Sequence, residues 1–282
     1  MHVNRQLLLP FLALVIMTWS LASWPPSVLG SLPPNEARVT QVNNYVQLLH
    51  PMRAPRQASL NEIIDEETTV RTGKTPSRAE LIFSDETVVR LAANTAFSHN
   101  NGTHDLNLGE GAALVQAPKS ANGATIHAAS VAAAVTGTTV MIEYHPGVCK
   151  FLVLEGTARL YRPGHLGDSV LVQAGQMVIG NPNAAVSDPV DFDIARFVRT
   201  SRFIVGLPAL RSESSMAFEA QQQQREKSKK TLIETNLVIF GGGTRVSLIG
   251  QAQTNAAGQT TAAPATPHPT PGPTQAASGA SQ

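Results

Sequence analysis

Apolar and polar residues alternate along the middle of the chain, in short runs. Over residues 78–84, Ala79, Leu81 and Phe83 fall on one face, and Glu80 and Ser84 on the other. A period of two is that of a half-buried strand. Residues 87–91 follow as a β-branched run, and Asp85-Glu86 between the two reads as a hairpin turn. The pattern predicts further strands at 106–108, 112–116, 125–128, 131–135 and 139–144. Asn100-Asn101-Gly102, Gly109-Glu110-Gly111 and His145-Pro146-Gly147 punctuate them as turns. Residues 150–154 and 157–161 flank Gly156. Leu152, Leu154, Ala158 and Leu160 stay in phase across that glycine, which predicts one long, bulged strand with a single apolar face. Residues 170–172 and 177–179 surround a turn at Ala174-Gly175-Gln176. Short strands punctuated in this way predict an all-β roll, sandwich or irregular solenoid.

The flanks have a different texture. Residues 36–49 form a short helix or strand confined by Pro33, Pro34 and Pro51, and 51–57 read as a basic, proline-broken linker. Beyond Pro182, residues 191–199 predict a short helix with Phe192, Ile194, Ala195 and Val198 as its apolar positions. Residues 212–230 are the strongest helix candidate, with Ser212 or Ser214 as the cap and Gln221 to Gln224 on a polar face. A strand is expected at 232–240, ended by Gly241-Gly242-Gly243 and paired with 244–249. These pieces form a small α/β C-terminal extension.

The two ends are not expected to join the fold. Arg5, the apolar run 7–19 and the small-x-small triplet Ser20-Leu21-Ala22 have the plan of a secretory signal, with Val28-Leu29-Gly30 as a second cleavage point. The run is shorter than the roughly 20 residues that span a bilayer, which favours cleavage over anchoring. From residue 251 onward there is no charge and almost no large apolar side chain, and prolines cluster at 264, 267, 269, 271 and 273. Such a segment cannot bury enough surface to offset its ordering entropy. The expected organisation is a signal at 1–22 (or as far as 30), a linker and short segment at 23–57, a β domain at 58–180, the extension at 181–250 and a disordered tail at 251–282.

Charge adds mainly exclusions. Charged residues make up 15% of the chain, against about 25% in typical soluble domains, and the net charge is +1. No basic stripe suits nucleic acid. Cys149 is the sole cysteine, so no internal disulfide forms, and it reads as a small, buried strand side chain. The sequence contains no nucleophile elbow, phosphate loop or dinucleotide fingerprint. The adjacent acids Asp65-Glu66-Glu67 and Asp85-Glu86 read as solvated turns, because neighbours on a strand point to opposite faces. Chemistry is left two weak candidates: a metal site at His99, His104 and Asp105, or a nucleophilic pair of His145 and Cys149. The preferred reading assigns no catalytic, cofactor-binding or metal-binding residue.

One resemblance rests on order and spacing. Val70-Arg71-Thr72-Gly73, Ser77-Arg78-Ala79-Glu80-Leu81, Asp85-Glu86-Thr87, Gly137-Thr138 and Leu154-Glu155-Gly156-Thr157 together resemble the FecR domain, from about residue 58 to 179. Asp191-Phe192-Asp193-Ile194 and Thr235-Asn236-Leu237-Val238-Ile239 are similar to the C-terminal extension of a secreted subgroup. The resemblance implies a β-rich bacterial envelope module that binds and relays rather than catalyses. Well-known members are inner-membrane regulators of iron uptake. They have a cytoplasmic segment that holds a sigma factor, one transmembrane helix and a periplasmic FecR domain. Here only Met1–Gln6 precede the apolar run, too little to hold a sigma factor. The expectation is an exported, periplasmic or extracellular, non-enzymatic protein that binds a protein or envelope component in signalling or surface assembly. The alternatives are a membrane-anchored regulator of a sigma factor and iron uptake, or a small metal-binding or hydrolytic protein. Arg78, Glu80 and Arg90 are expected as surface polar groups. No cofactor is expected, and membrane contact only if the signal is retained.

Overall fold

The computed structural model describes residues 36–100, 104–121, 123–227, 232–237 and 246–251. The predicted signal, the Asn101-Gly102 turn, the three glycines 241–243 and tail residues 252–282 lie outside the described residues. In chain order the strands are β1 (Ala37–Asn43), β2 (Val46–His50), β3 (Arg53–Gln57), β4 (Ile63–Ile64), β5 (Thr69–Thr72), β6 (Arg78–Phe83), β7 (Val88–Leu91), β8 (Ala96–Asn100) and β9 (Asp105–Ala117). Then come β10 (Ala124–Ala128), β11 (Val131–Val135), β12 (Thr138–His145), β13 (Val148–Glu155), β14 (Thr157–Tyr161), β15 (Ser169–Gln173), β16 (Gln176–Gly180) and β17 (Val190–Phe192). Helices α1 (Ile194–Thr200) and α2 (Glu213–Lys227) and strands β18 (Leu232–Leu237) and β19 (Val246–Gln251) complete the order.

The strands form two sheets packed face to face. The covered sheet runs β4-β1-β6-β7-β9-β12-β13-β16-β17-β19-β18. The open sheet runs β3-β2-β5-β8-β9-β10-β11-β14-β15. Among these pairings β9–β10 alone is parallel. Of the expected architectures, the sandwich is the one formed. Residues 37–50, anticipated as a segment ahead of the β module, are strands of both sheets, and the anticipated linker 51–57 contains β3.

Alternation decides what lies between the sheets. Leu81, Val89, Val115, Val140, Ile142, Phe151 and Val153 point inward from the covered sheet. Val70, Phe97, Leu106, Leu108, Ile126 and Leu160 meet them from the open sheet. The opposite face of the covered sheet is apolar as well. Leu114, Met141, Leu152, Leu154 and Met177 pack there against Phe192, Ile194, Phe197, Phe203, Leu210 and Met216 of the C-terminal extension. The fold therefore has three layers, and the middle strands of the covered sheet, β12 and β13, are buried on both faces. Each such fully buried apolar side chain contributes about 1.5–3 kcal/mol.

The chain crosses from one sheet to the other at two places, once within a strand and once between two strands. The expected pieces 106–108 and 112–116 are one strand, β9, whose first half joins the open sheet and whose second half joins the covered sheet. The even-numbered Leu106 and Leu108 face the core, then the odd-numbered Ala113, Val115 and Ala117 do. A bulge, at which Ala96 pairs with Glu110 and Phe97 with Leu108, inserts the extra residue that shifts the phase. The second crossing lies between β13 and β14. Phe151 and Val153 face the inter-sheet core, Leu152 and Leu154 the helices, and Ala158 and Leu160 the core again. The expected single apolar face across Gly156 is thus two faces of two sheets. Gly156 makes the bend at φ +79°, and a Cβ there would sit 2.9 Å from the Gly137 carbonyl oxygen.

The predicted helices form close to their expected places. The Asp193 carboxylate accepts a hydrogen bond from the Arg196 N–H at 2.9 Å and caps α1. Met216 and Ala220 of α2 are four residues apart and face the sheet. Gln223, from the expected polar face, turns inward: its amide oxygen accepts from the Ile194 N–H at 3.2 Å and its amide nitrogen donates to the Phe192 carbonyl.

Candidate functional site

Of the three residues expected at the surface, Glu80 and Arg90 are buried on the covered face, and Arg78 stays partly exposed at its margin. Arg90 is 1% exposed and Glu80 is 4% exposed. On the β6–β7 hairpin they are directly opposite each other, and Arg90 Nε donates to Glu80 Oε2 at 2.7 Å. Glu80 Oε1 accepts from the Thr40 hydroxyl at 2.8 Å. The other arms of the guanidinium donate to the carbonyls of Phe203, at 2.6 Å, and Pro208. Arg78 donates to the carbonyls of Arg202 and Val205 at 2.8 and 3.0 Å. Glu80 and Arg90 are covered by the strap 201–212, which lies across strands that an isolated hairpin would expose. Arg211 pairs with Glu86, which holds that carboxyl below its ordinary range. The Thr139 and Ser212 hydroxyls lie 2.7 Å apart where the strap enters α2. These charges tie the chain to itself.

A second buried pair joins Glu143 to Lys150 across the β12–β13 hairpin. His145 lies beside it, with Nε2 3.5 Å from Glu143 and Nδ1 3.9 Å from Glu110. Cys149 is directly opposite Tyr144 and enters the inter-sheet core, so His145, one residue on, belongs to the other face. The two do not form a nucleophilic pair. Burial first, and the Glu143 charge second, push the Cys149 thiol up to about 12. That holds it in the unreactive protonated form at neutral pH.

The candidate metal residues are also divided. His99 is buried and edge-on to Phe83, with ring centroids 5.1 Å apart. His104 shares a small pocket with it but faces Asp85, with Nδ1 and Oδ2 3.6 Å apart. Asp105 turns to His127 instead, at 3.2 Å. Among the described residues no group of three or more His, Cys, Asp or Glu side chains converges in a way that could hold a metal ion.

What the structure does assemble is a polar groove of about 600 Å³. Tyr45 and Gln47 come from the β2 region, Arg71 and Lys74 from β5 and its following turn, and Asn94 from the turn before β8. Glu110 of the β9 bulge and His145 close the far side. Sequence reasoning missed this set, because it spans 100 positions from Tyr45 to His145 and no local motif links them. The Val70-Arg71-Thr72-Gly73 segment stood out for its glycine, not for Arg71. The groove can hold a polar ligand by hydrogen bonds. A second available surface among the described residues is the outer edge of the open sheet, at β15.

Residues 68–159 match the family model described as FecR protein. This stretch covers β5 to β13 and enters β14, and so contains both sheet crossings. No curated protein matches the chain. Two crystal structures of a proposed anti-sigma factor from Parabacteroides distasonis ATCC 8503 align with it, at 12% and 10% identity and a TM-score of 0.40 each. Each alignment covers 64% of this chain and 97% of the other.

Proposed function

We propose that the protein is an exported, non-enzymatic FecR-type module that acts in signalling or surface assembly by binding a protein or envelope component. The FecR match over residues 68–159 carries this reading. The dispersal of the catalytic candidates agrees with a binding role, and the polar groove and the β15 edge are surfaces suited to it. Export rests on the apolar run 7–19 and the small residues that follow it. Among the described residues no helix is long and apolar enough to cross a membrane.

The test uses tagged full-length protein made in a bacterial host and incubated with envelope extract. A specific partner should be enriched, and replacing Arg71 and Lys74 by Glu should weaken capture if the groove is used. N-terminal sequencing of the mature protein should begin near residue 23 or 31. A chain that captures nothing above background overturns the binding role. A chain that retains Met1 overturns cleavage and favours a membrane anchor.

A further inference from the structure

The outer strand of the open sheet is built unlike the other outer strand of that sheet. Among the described residues β15 pairs with β14 alone, on one side. Beyond the two ends of that ladder, the Arg162 N–H donates to the Asp168 carbonyl at 3.1 Å and the Ala174 N–H to the Gly156 carbonyl at 3.0 Å. Bonded pairs alternate in an antiparallel ladder. Between these fixed ends, Val170 and Val172 therefore bond to β14. Ser169, Leu171 and Gln173 turn their N–H and C=O groups away from it. The Gln173 N–H is taken by Gln176 Oε1 at 3.0 Å, which agrees with that phase. The N–H and C=O of Leu171 remain directed outward, and its side chain is 48% exposed. At the opposite edge, β3 carries Pro55, which has no N–H, between Arg53 and Arg56. Proline and charge are how natural sheets blunt an edge. β15 reads Ser-Val-Leu-Val-Gln, with neither.

We infer that two copies of this chain join edge to edge through β15, making the two open sheets continuous. The strand is self-complementary about its centre. A two-fold axis beside Leu171 sets it against its counterpart, and the two residues exchange N–H and C=O reciprocally, as a bonded antiparallel pair does. Ser169 then faces Gln173, and Val170 faces Val172 on the side of the cores. Charge does not oppose the approach. Arg159 sits beside Leu171 on β14. The two copies of Arg159 are three strand spacings apart, about 14 Å, beyond the Debye length of about 8 Å. A five-residue edge buries less than the roughly 1,600 Å² of a standard interface, so the dimer is weak, with a Kd of about micromolar order. The inference uses the β15 edge that the proposed function also offers to a partner, but it concerns self-association of the purified chain, which is read without any external partner.

Sedimentation equilibrium on the full chain, over concentrations spanning the micromolar range, tests it. The wild type should pass from monomer to dimer as concentration rises. Leu171→Pro should remain monomeric. Its lost N–H serves no bond among the described residues, so an edge position of this kind accepts proline without unfolding. Leu171→Lys brings two ammonium groups together at the axis and should weaken dimerisation at least tenfold while melting like the wild type. If Leu171→Pro melts early, Leu171→Lys alone is read. A wild type that stays monomeric throughout overturns the inference, as does a dimer that the lysine variant leaves intact.

Discussion

Replacing Arg90 by leucine should be among the most damaging single changes to this protein. The side chain is 1% exposed and makes one ion pair and two charge-assisted hydrogen bonds. Leucine fills part of its volume but leaves Glu80, 4% exposed, with the Thr40 hydroxyl in place of a cation. It also leaves the Phe203 and Pro208 carbonyls without their donor. Breaking a buried pair from one side costs about 3–5 kcal/mol. For a folded region of this size, each kcal/mol lowers Tm by about 2–4 °C, so the melt should fall by about 6–20 °C. The double replacement Arg90→Leu with Glu80→Met removes both charges and should recover much of that loss, since a paired buried charge adds little over a well-packed apolar pair. Urea unfolding followed by circular dichroism gives the free energies, and limited proteolysis reports whether the strap 201–212 has lifted. A cost below about 1 kcal/mol for Arg90→Leu would refute the reasoning and return Arg90 to the surface, where charge pairs contribute that little.

Two further outcomes follow from the geometry. Cys149 should resist a thiol reagent in the native protein at pH 8 and react fully in denaturant. Its folded pKa lies near 12, above the ordinary thiol value. A raised folded value favours the protonated fold, so this contribution to stability is full below pH 8 to 9 and is lost as pH rises toward 12; melts across that range check the sign. Gly111→Ala should destabilise by about 2–5 kcal/mol in the same urea assay, combining strain and overcrowding. Gly111 has φ +93°, and a Cβ there would sit 2.6 Å from the Asn94 carbonyl oxygen.

The strands were legible because their period of two survives locally, as at Ala79, Leu81 and Phe83, which all face the core. The sheet to which each strand belongs was not legible. Leu152 and Leu160 look alike in the sequence and face different cores, because the bend at Gly156 lies in φ and not in composition. Glu80 and Arg90 looked exposed for a similar reason. Alternation shows that they share the face opposite Leu81 and Val89, but what covers that face comes from residues 203 and 208, more than 110 positions away. The same separation hid the groove, in which Arg71 and His145 are ordinary polar residues until the sheets bring them together.

Where a partner can bind follows from what the chain covers for itself. One face of the covered sheet is packed against the open sheet, and the other holds α1, α2 and the strap over Leu114, Met141 and Leu152. Uncovering that second face would expose apolar surface and strip Arg90 of the Phe203 and Pro208 carbonyls, a cost that is a large fraction of the 5–15 kcal/mol by which a whole domain is typically stable. Binding therefore falls to surfaces that need no unfolding. Along the open sheet these are the groove around Arg71 and Lys74 and the edge at β15. The two differ in chemistry, since the groove offers side-chain cations and amides and the edge offers backbone N–H and C=O groups around one exposed leucine. Glutamates at 71 and 74 should impair only a partner held in the groove, and proline at 171 only one held at the edge. The two sets of variants thus assign any captured partner to one surface or the other.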